Sequence, residues 1–297
     1  MIGLLTTGRH DLAYLTPIKE AMGDEARWIV LDPMQCVDKY DAAWTCGTSL
    51  KMAASAMISQ GISRLVVLGD RTESLAACAA ATCLRIPIAH IHGGDVTLGA
   101  IDNVCRNAIS QLADMHFAAT QDALDRLYAM QVPGPIYLTG SPAIDLLMRK
   151  KRERVPGKHV LLGFHPETLS NVDPVKQAAH ALSVADMHKP TGGKVIFLGA
   201  NPDAGGAQIN GFMRARKDVE VRAGMGCEEY WDLLATCHCL VGNTSSGVIE
   251  APALGVPFIE IGDRQKGRYR GSYGDGKATE RIVAVLRAWL SSASLPR

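Results

Sequence analysis

Apolar residues fall in short continuous runs, separated by longer amphipathic or Ala-rich stretches, and the two alternate along the whole chain. In the first half the runs at 2–7, 28–31, 65–68, 86–91, 116–119 and 136–139 predict strands. The stretches at 12–22, 49–60, 73–84, 100–114 and 122–130 predict helices. The second half repeats the theme, with strands at 159–163, 194–198, 219–221, 238–241 and 257–261. Helices are expected there at 174–187, 204–216, 228–235 and 277–290, with a helix starting at 247–254. A strand that is apolar throughout is buried on both faces, and strand–helix alternation places such strands in a parallel sheet covered by helices. Between the halves, residues 149–158 form a charge run ending in Pro156-Gly157, the pattern of an interdomain linker. As a nucleic-acid patch this run lacks aromatic partners and a basic face. The expected fold class is α/β: two doubly wound domains, 1–150 and 151–276, with a cleft between them, and 277–297 as a C-terminal helix packing back across the domains.

Composition narrows the function classes. A chain of 297 residues with 47% hydrophobic and 21% charged residues is an ordinary globular protein, neither disordered nor a coiled coil. Its apolar stretches fall short of the ~20 residues that span a bilayer. Met1-Ile2-Gly3-Leu4-Leu5 carries no basic region and no cleavage site, so no secretory signal is expected. A net charge of +1 gives no global attraction for nucleic acid or anionic lipid. The eight cysteines include no Cys-x-x-Cys pair. The one dense group, Cys237-His238-Cys239, lacks further ligands at metal-site spacing. Buried thiols in a reducing, cytoplasmic compartment are expected, with no metal.

In parallel α/β sheets ligands bind beyond the carboxyl ends of the strands, so the loops following strands carry the chemistry. Thr7-Gly8-Arg9 places an arginine at a helix start, suited to an anion or to a plain surface turn. Gly69-Asp70-Arg71-Thr72-Glu73 and His92-Gly93-Gly94-Asp95 follow two neighbouring strands, and Asp102 precedes Arg106 shortly after. Asp70, Asp95 and Asp102, with His90 and His92, therefore gather at one end of the sheet. Several acids in one cleft can be driven to different pKa values and divide acid and base roles. Asp102 has a competing reading as a helix cap. In the second half His165 and Asn201-Pro202-Asp203 follow strands. The run Val241-Gly242-Asn243-Thr244-Ser245-Ser246-Gly247 leads from a strand through small residues to a helix start, the pattern of a phosphate cradle. Glu250 lies about one turn further, within reach of sugar hydroxyls. The loop has neither the lysine of a Walker A motif nor dinucleotide-fingerprint spacing. Gly262-Asp263-Arg264-Gln265-Lys266-Gly267-Arg268-Tyr269-Arg270 offers four cations, for phosphate or for solvent.

Together these segments resemble the UDP-N-acetylglucosamine 2-epimerase family, most closely its hydrolysing branch from sialic-acid and related nonulosonate pathways. The matching stretches are Val67–Glu73, Pro87–Thr97, Gly99–Asp102 with Arg106, Thr139-Gly140-Ser141-Pro142 with Asp145, Gly242–Pro257 and Gly262–Arg268. The resemblance implies a glycosyltransferase-B-like fold of two Rossmann-like domains, with UDP held mainly by the second. It implies a UDP-sugar substrate, no cofactor, and a reaction in which the C2 hydrogen is removed as UDP leaves C1. Water then adds to the resulting glycal and frees the 2-epimeric sugar, such as N-acetylmannosamine. It is also compatible with a homodimer. Residue by residue, it implies catalytic positions at Asp70, Asp95, Asp102 and His92. Substrate or UDP contacts are implied at Arg9, Glu73, Arg106, His165, Asn243, Ser245, Ser246, Gly247, Glu250 and Arg264. The chain departs from the family pattern in several places. Asp95 stands where many members have Glu, Tyr14 where Lys is common and Asn107 where His is frequent. The first domain is shortened between Val30 and Gly47. Three rivals are another sugar nucleotide, epimerisation that retains UDP, against which the Gly69-Asp70-Arg71-Thr72-Glu73 and His92-Gly93-Gly94 stretches argue, and a nucleotide-binding protein without catalysis.

Overall fold

The computed structural model describes residues 1–31, 36 and 38–292, with the side chains of all but Arg9 and His10. The first sheet is built from β1 (Ile2–Thr6), β2 (Ala26–Val30), β3 (Arg64–Leu68), β4 (Ile88–Ile91), β5 (Met115–Ala118) and β6 (Ile136–Leu138). Between them run α1 (Arg9–Met22), α2 (Lys39–Ser59), α3 (Thr72–Cys83), α4 (Asp102–Leu112) and α5 (Gln121–Ala129), and α6 (Pro142–Arg149) follows β6. The second sheet comprises β7 (His159–Gly163), β8 (Lys194–Phe197), β9 (Val219–Val221), β10 (Cys239–Gly242) and β11 (Phe258–Glu260). Its helices are α7 (Pro174–Met187), α8 (Gly206–Arg214), α9 (Cys227–Thr236) and the single turn α10 (Glu250–Ala253), and α11 (Ala278–Ser291) ends the described chain.

All neighbours pair in parallel, in the orders β2-β1-β3-β4-β5-β6 and β11-β10-β7-β8-β9. β3 shows why its sequence is apolar throughout. Leu65 and Val67 pack with Met57 of α2 and Ala77 of α3, while Val66 and Leu68 pack on the other face with Leu15 of α1 and Leu286 of α11. The second sheet is covered likewise, Val160 and Leu162 facing Ala181 and Ile209, and Leu161 facing Leu234 and Ala251. The strand order reverses direction between β1 and β3, and again between β10 and β7. Loops leaving adjacent strands on opposite faces open a crevice there. The crevices of the two sheets face each other.

Three elements differ from the sequence expectation. α2 starts ten residues before 49, because the Asp38 carboxylate accepts from the Tyr40 and Asp41 amides and caps a helix there. α6 was not expected, yet Ser141 caps it and Pro142 occupies its first turn. The helix expected at 247–254 is a 3-10 turn over Ser245–Gly247 followed by four α-helical residues. Pro252 and Gly255 limit its length, since proline cannot donate and glycine ends helices. The linker is anchored to the second domain rather than loose: Arg152 pairs with Asp232 and Glu228 and lies 5.3 Å from the Trp231 ring centroid. Among the described residues no helix is long and apolar enough to cross a membrane.

Candidate active site

Hydrogen-bonded side chains of Asp70, Arg106, Thr97, Asp95 and His92 gather at the strand ends of the first domain. Asp70, in the loop after β3, pairs with Arg106 of α4. Arg106 is buried and also donates to the Asp95 carbonyl at 3.1 Å and to Thr97 Oγ1 at 2.9 Å. Burial, with Arg268 and Arg264 nearby, lowers its pKa well below the ordinary guanidinium value. Asp95, 3% exposed, accepts on Oδ2 from Arg268 at 2.7 Å and faces His92 Nδ1 at 3.0 Å. Its other oxygen, Oδ1, is buried with no hydrogen-bond partner among the described residues. Burial alone would raise the Asp95 pKa, but Arg268 and then His92 outweigh it and hold the carboxyl at about 2. The acid is thus held as an anion.

His92 occupies left-handed backbone space (φ 64°), which side-chain-bearing residues seldom adopt. This turn aims its ring so that Nδ1 meets Asp95 while Nε2 lies 2.9 Å from Ser141 Oγ. Gly94 follows at φ 78°, and a Cβ there would sit 2.1 Å from the Ala123 carbonyl, so the tight turn that presents Asp95 requires glycine. His90, grouped with the acids by sequence, is a buried strut. Burial lowers its pKa to about 3, so the ring is neutral: Nε2 donates to the Gly69 carbonyl at 2.8 Å, and Nδ1 accepts from Ser110 at 3.0 Å. It steadies the turn that carries Asp70. Glu73 is 1% exposed, and its carboxylate accepts from Arg71 and Thr72. Arg9 opens α1, but its side chain lies outside the described residues.

The second domain meets these groups directly. Arg264 donates to Asp102 at 2.6 Å and to the Pro166 carbonyl at 2.9 Å. Asp102 makes no cap bond at its helix, so its carboxylate serves the cleft rather than capping α4. Arg71 stands 3.6 Å from Asp203, and Arg126 joins the Gly94 and Gly267 carbonyls across the cleft. Of the four cations in the basic loop, Arg264 and Arg268 hold first-domain acids, Lys266 pairs with Asp263, and Arg270 with Glu260.

The small-residue loop after β10 lies opposite. Asn243 is fully buried and bridges both backbone groups of His165, accepting from its N–H at 2.7 Å and donating to its carbonyl at 2.8 Å. It places His165, whose Nδ1 in turn accepts from the Asn201 amide at 3.2 Å. Ser245 is exposed, while Ser246 is buried against the Tyr230 hydroxyl. The Ser246 and Gly247 amides bond within the turn to Thr244. With only four helical residues behind it, this loop has little helix dipole to offer an anion. Gly247 is demanded by packing, because a Cβ there would lie 2.3 Å from the Phe258 ring. Glu250, 3% exposed, accepts from Tyr14 across the cleft at 2.7 Å on Oε1, and Oε2 is buried without a partner among the described residues. Burial first, and the Glu250 charge next, push the Tyr14 phenol well above its ordinary pKa, so it stays a donor.

The sequence assigns no individual role to Asp203, Ser141 or Tyr14, and it offers Arg268 only as one of four loop cations. Asp203 sat in a noted strand-end loop and Arg268 among the noted cations, so position alone signalled them. Ser141 and Tyr14 carry no local sign of these contacts, because their partners His92 and Glu250 lie 49 and 236 positions away along the chain. Cys237 and Cys239 are buried in the second domain, and burial raises the Cys237 thiol to about 12. Cys83, by contrast with the expectation of buried thiols, is exposed.

A family model described as UDP-N-acetylglucosamine 2-epimerase matches residues 3–272. A relative from Escherichia coli, "Polysialic acid biosynthesis protein P7", is 34% identical over 70% of this chain and 56% of its own length. The "UDP-N,N'-diacetylbacillosamine 2-epimerase (hydrolyzing)" of Legionella pneumophila is 28% identical over 96% of this chain and 88% of its own. A "GDP/UDP-N,N'-diacetylbacillosamine 2-epimerase (hydrolyzing)" of Campylobacter jejuni is 31% identical, and the match spans 58% of its length. In both the E. coli and C. jejuni comparisons the chain matches less than two thirds of the relative. Among solved structures, the UDP-GlcNAc 2-epimerase of Methanocaldococcus jannaschii, in complex with UDP-GlcNAc and UDP, superposes with a TM-score of 0.77 at 17% identity, covering 97% of this chain and 99% of that one. The Neisseria meningitidis UDP-GlcNAc 2-epimerase bound to UDP-GlcNAc gives 0.73 at 15% identity, covering 97% and 99%. The two facing parallel sheets are the glycosyltransferase-B-like arrangement of these structures. By the match along nearly its whole length, the chain belongs to the UDP-N-acetylglucosamine 2-epimerase family.

Proposed function

We propose that the protein is a hydrolysing 2-epimerase of UDP-N-acetylglucosamine, releasing UDP and the free 2-epimeric sugar, N-acetylmannosamine. The observation that carries this reading is the gathering of Asp70, Asp95 and Asp102 at the strand ends of one domain, each held by an arginine and facing the loops of the other. A C2 hydrogen is weakly acidic, so its removal needs a placed base together with stabilisation of the departing diphosphate. The base takes the C2 proton, the C1–oxygen bond breaks with its electron pair going to the diphosphate, and a C1–C2 double bond forms. Water then returns a hydroxyl to C1 and a proton to C2 from the opposite face, which inverts C2. The carboxylates supply the acid and base. Arg264 and Arg268 are cations already in the cleft, and an incoming diphosphate competes for them with Asp102 and Asp95, releasing the acids as it binds. Glu250 accepts the ribose hydroxyls, and His165, Ser245 and Ser246 line the diphosphate.

The hydrolysing relatives of L. pneumophila and C. jejuni are named for a diacetamido sugar. That favours, as the second reading, the same chemistry on a UDP-linked diacetamido-trideoxyhexose. Release of UDP, measured in parallel with the two UDP-sugars, separates the readings. Turnover of UDP-N-acetylglucosamine at the higher kcat/KM supports the first, preference for the diacetamido sugar supports the second, and UDP release from neither refutes both.

A further inference from the structure

Tyr14 ties the first domain to the nucleoside end of the second. It projects from α1, and its ring packs both with the first-domain core around Leu15 and Ile18 and with the second-domain cluster of Trp231, Val248 and Ile249. Its phenol donates to Glu250 Oε1 at 2.7 Å, a bond between residues 236 positions apart. Glu250 Oε2 is buried and has no partner among the described residues. A buried carboxylate oxygen without a donor is costly, so this closed arrangement leaves a strong acceptor unsatisfied. Two neighbouring hydroxyls of a ribose satisfy a carboxylate edge-on, one at each oxygen. A hydroxyl directed at Oε1 meets the Tyr14 hydrogen bond already made there.

We propose that Tyr14 is the latch that sets nucleotide affinity: it holds Glu250 when the cleft closes on itself and surrenders the carboxylate to the ribose of a nucleoside diphosphate. The inference rests on the reading of Glu250 as the ribose acceptor and goes beyond it, since the latch makes nucleotide binding an exchange of one donor for two. Removing the phenol removes the competitor without creating a cavity.

The test uses the whole chain and UDP as the probe, by titration calorimetry. Tyr14→Phe is expected to lower the UDP Kd by about 10- to 100-fold, the range for one hydrogen bond to a charged group. Glu250→Gln is expected to weaken binding, and in the Glu250→Gln background Tyr14→Phe is expected to give no further gain. A Kd for Tyr14→Phe that is unchanged or higher overturns the latch. A second readout needs no nucleotide. Without UDP, hydrogen–deuterium exchange across segments 9–22 and 245–254 is expected to be faster in Tyr14→Phe than in the wild type. Unchanged exchange overturns the latch whatever UDP does. If Glu250→Gln instead binds UDP as the wild type does, the ribose reading fails, and the exchange experiment still decides whether the phenol fastens the domains.

Discussion

Replacing Arg268 with methionine keeps the apolar stem of the side chain and removes the guanidinium that holds Asp95. Both partners are buried, Asp95 at 3% and Arg268 at 8% exposure. Unit charges about 4 Å apart attract by about 4 kcal/mol at an effective dielectric of about 20, and desolvation offsets part of that. The net effect is read from the Asp95 carboxyl, held at about 2 against 3.8. At about 1.4 kcal/mol per pH unit, the depressed pKa corresponds to about 2–3 kcal/mol of stability. That stability is fully present above the unfolded-state pKa near 4 and is lost as pH falls through the folded value near 2. In Arg268→Met the carboxylate is left buried with His92 alone, so the loss at pH 7 is expected to be larger, about 3–5 kcal/mol. Urea unfolding followed by circular dichroism measures it at pH 7, 5, 4 and 3. The deficit of Arg268→Met is expected to shrink steadily below pH 5, as Asp95 becomes protonated more readily in the variant than in the wild type. Asp95→Asn in the same chain should recover most of the deficit by removing the orphaned charge. A deficit at pH 7 below about 1 kcal/mol, or one that is the same at pH 7 and pH 3, refutes the buried-pair reasoning.

Further outcomes follow from other residues. His90 is neutral when folded, with a pKa of about 3. Because the unfolded chain takes up a proton near pH 6.5, this residue erodes stability as pH falls from 6.5 toward 3, by up to about 1.4 kcal/mol per pH unit. His90→Gln should flatten that slope in unfolding experiments between pH 6.5 and 4.5, and an unchanged slope excludes a neutral buried histidine. Gly247→Ala places a methyl 2.3 Å from the Phe258 ring and should destabilise by about 1–3 kcal/mol, with Phe258→Leu restoring part of the loss in thermal melts. Asp70→Asn, Asp95→Asn and Asp102→Asn should each lower kcat for UDP release by on the order of 10²-fold or more. Normal turnover in all three removes the carboxylates from the chemistry.

The architecture was legible because buried parallel strands are apolar on both faces. β7, α7 and β9 stand where the pattern placed them, and their boundaries coincide with punctuation, such as Pro174 at the start of α7. α2 escaped at its start because Tyr40 and Trp44 are exposed, so the apolar period fails there even though Asp38 caps the helix. α6 escaped because its signal is a cap, Ser141-Pro142, rather than a long period. In the site, the strand-end positions of Asp70, Asp95 and Asp102 were readable, since topology alone sends those loops to the crevice. Their partners were not. Asp95 and Arg268 lie 173 positions apart, and Tyr14 and Glu250 lie 236 apart. Only the closing of one domain on the other brings them together. The same closure sets two cations of the basic loop, Arg264 and Arg268, against first-domain acids.

The central claim is that these acids remove the C2 hydrogen while UDP leaves. Incubating the protein with UDP-N-acetylglucosamine in heavy water, and following the sugar by proton NMR, tests it most directly. The account predicts UDP together with free N-acetylmannosamine in which the C2 proton signal is absent, replaced by solvent deuterium. Free N-acetylglucosamine with its C2 proton retained would contradict it, because hydrolysis would then proceed without proton abstraction.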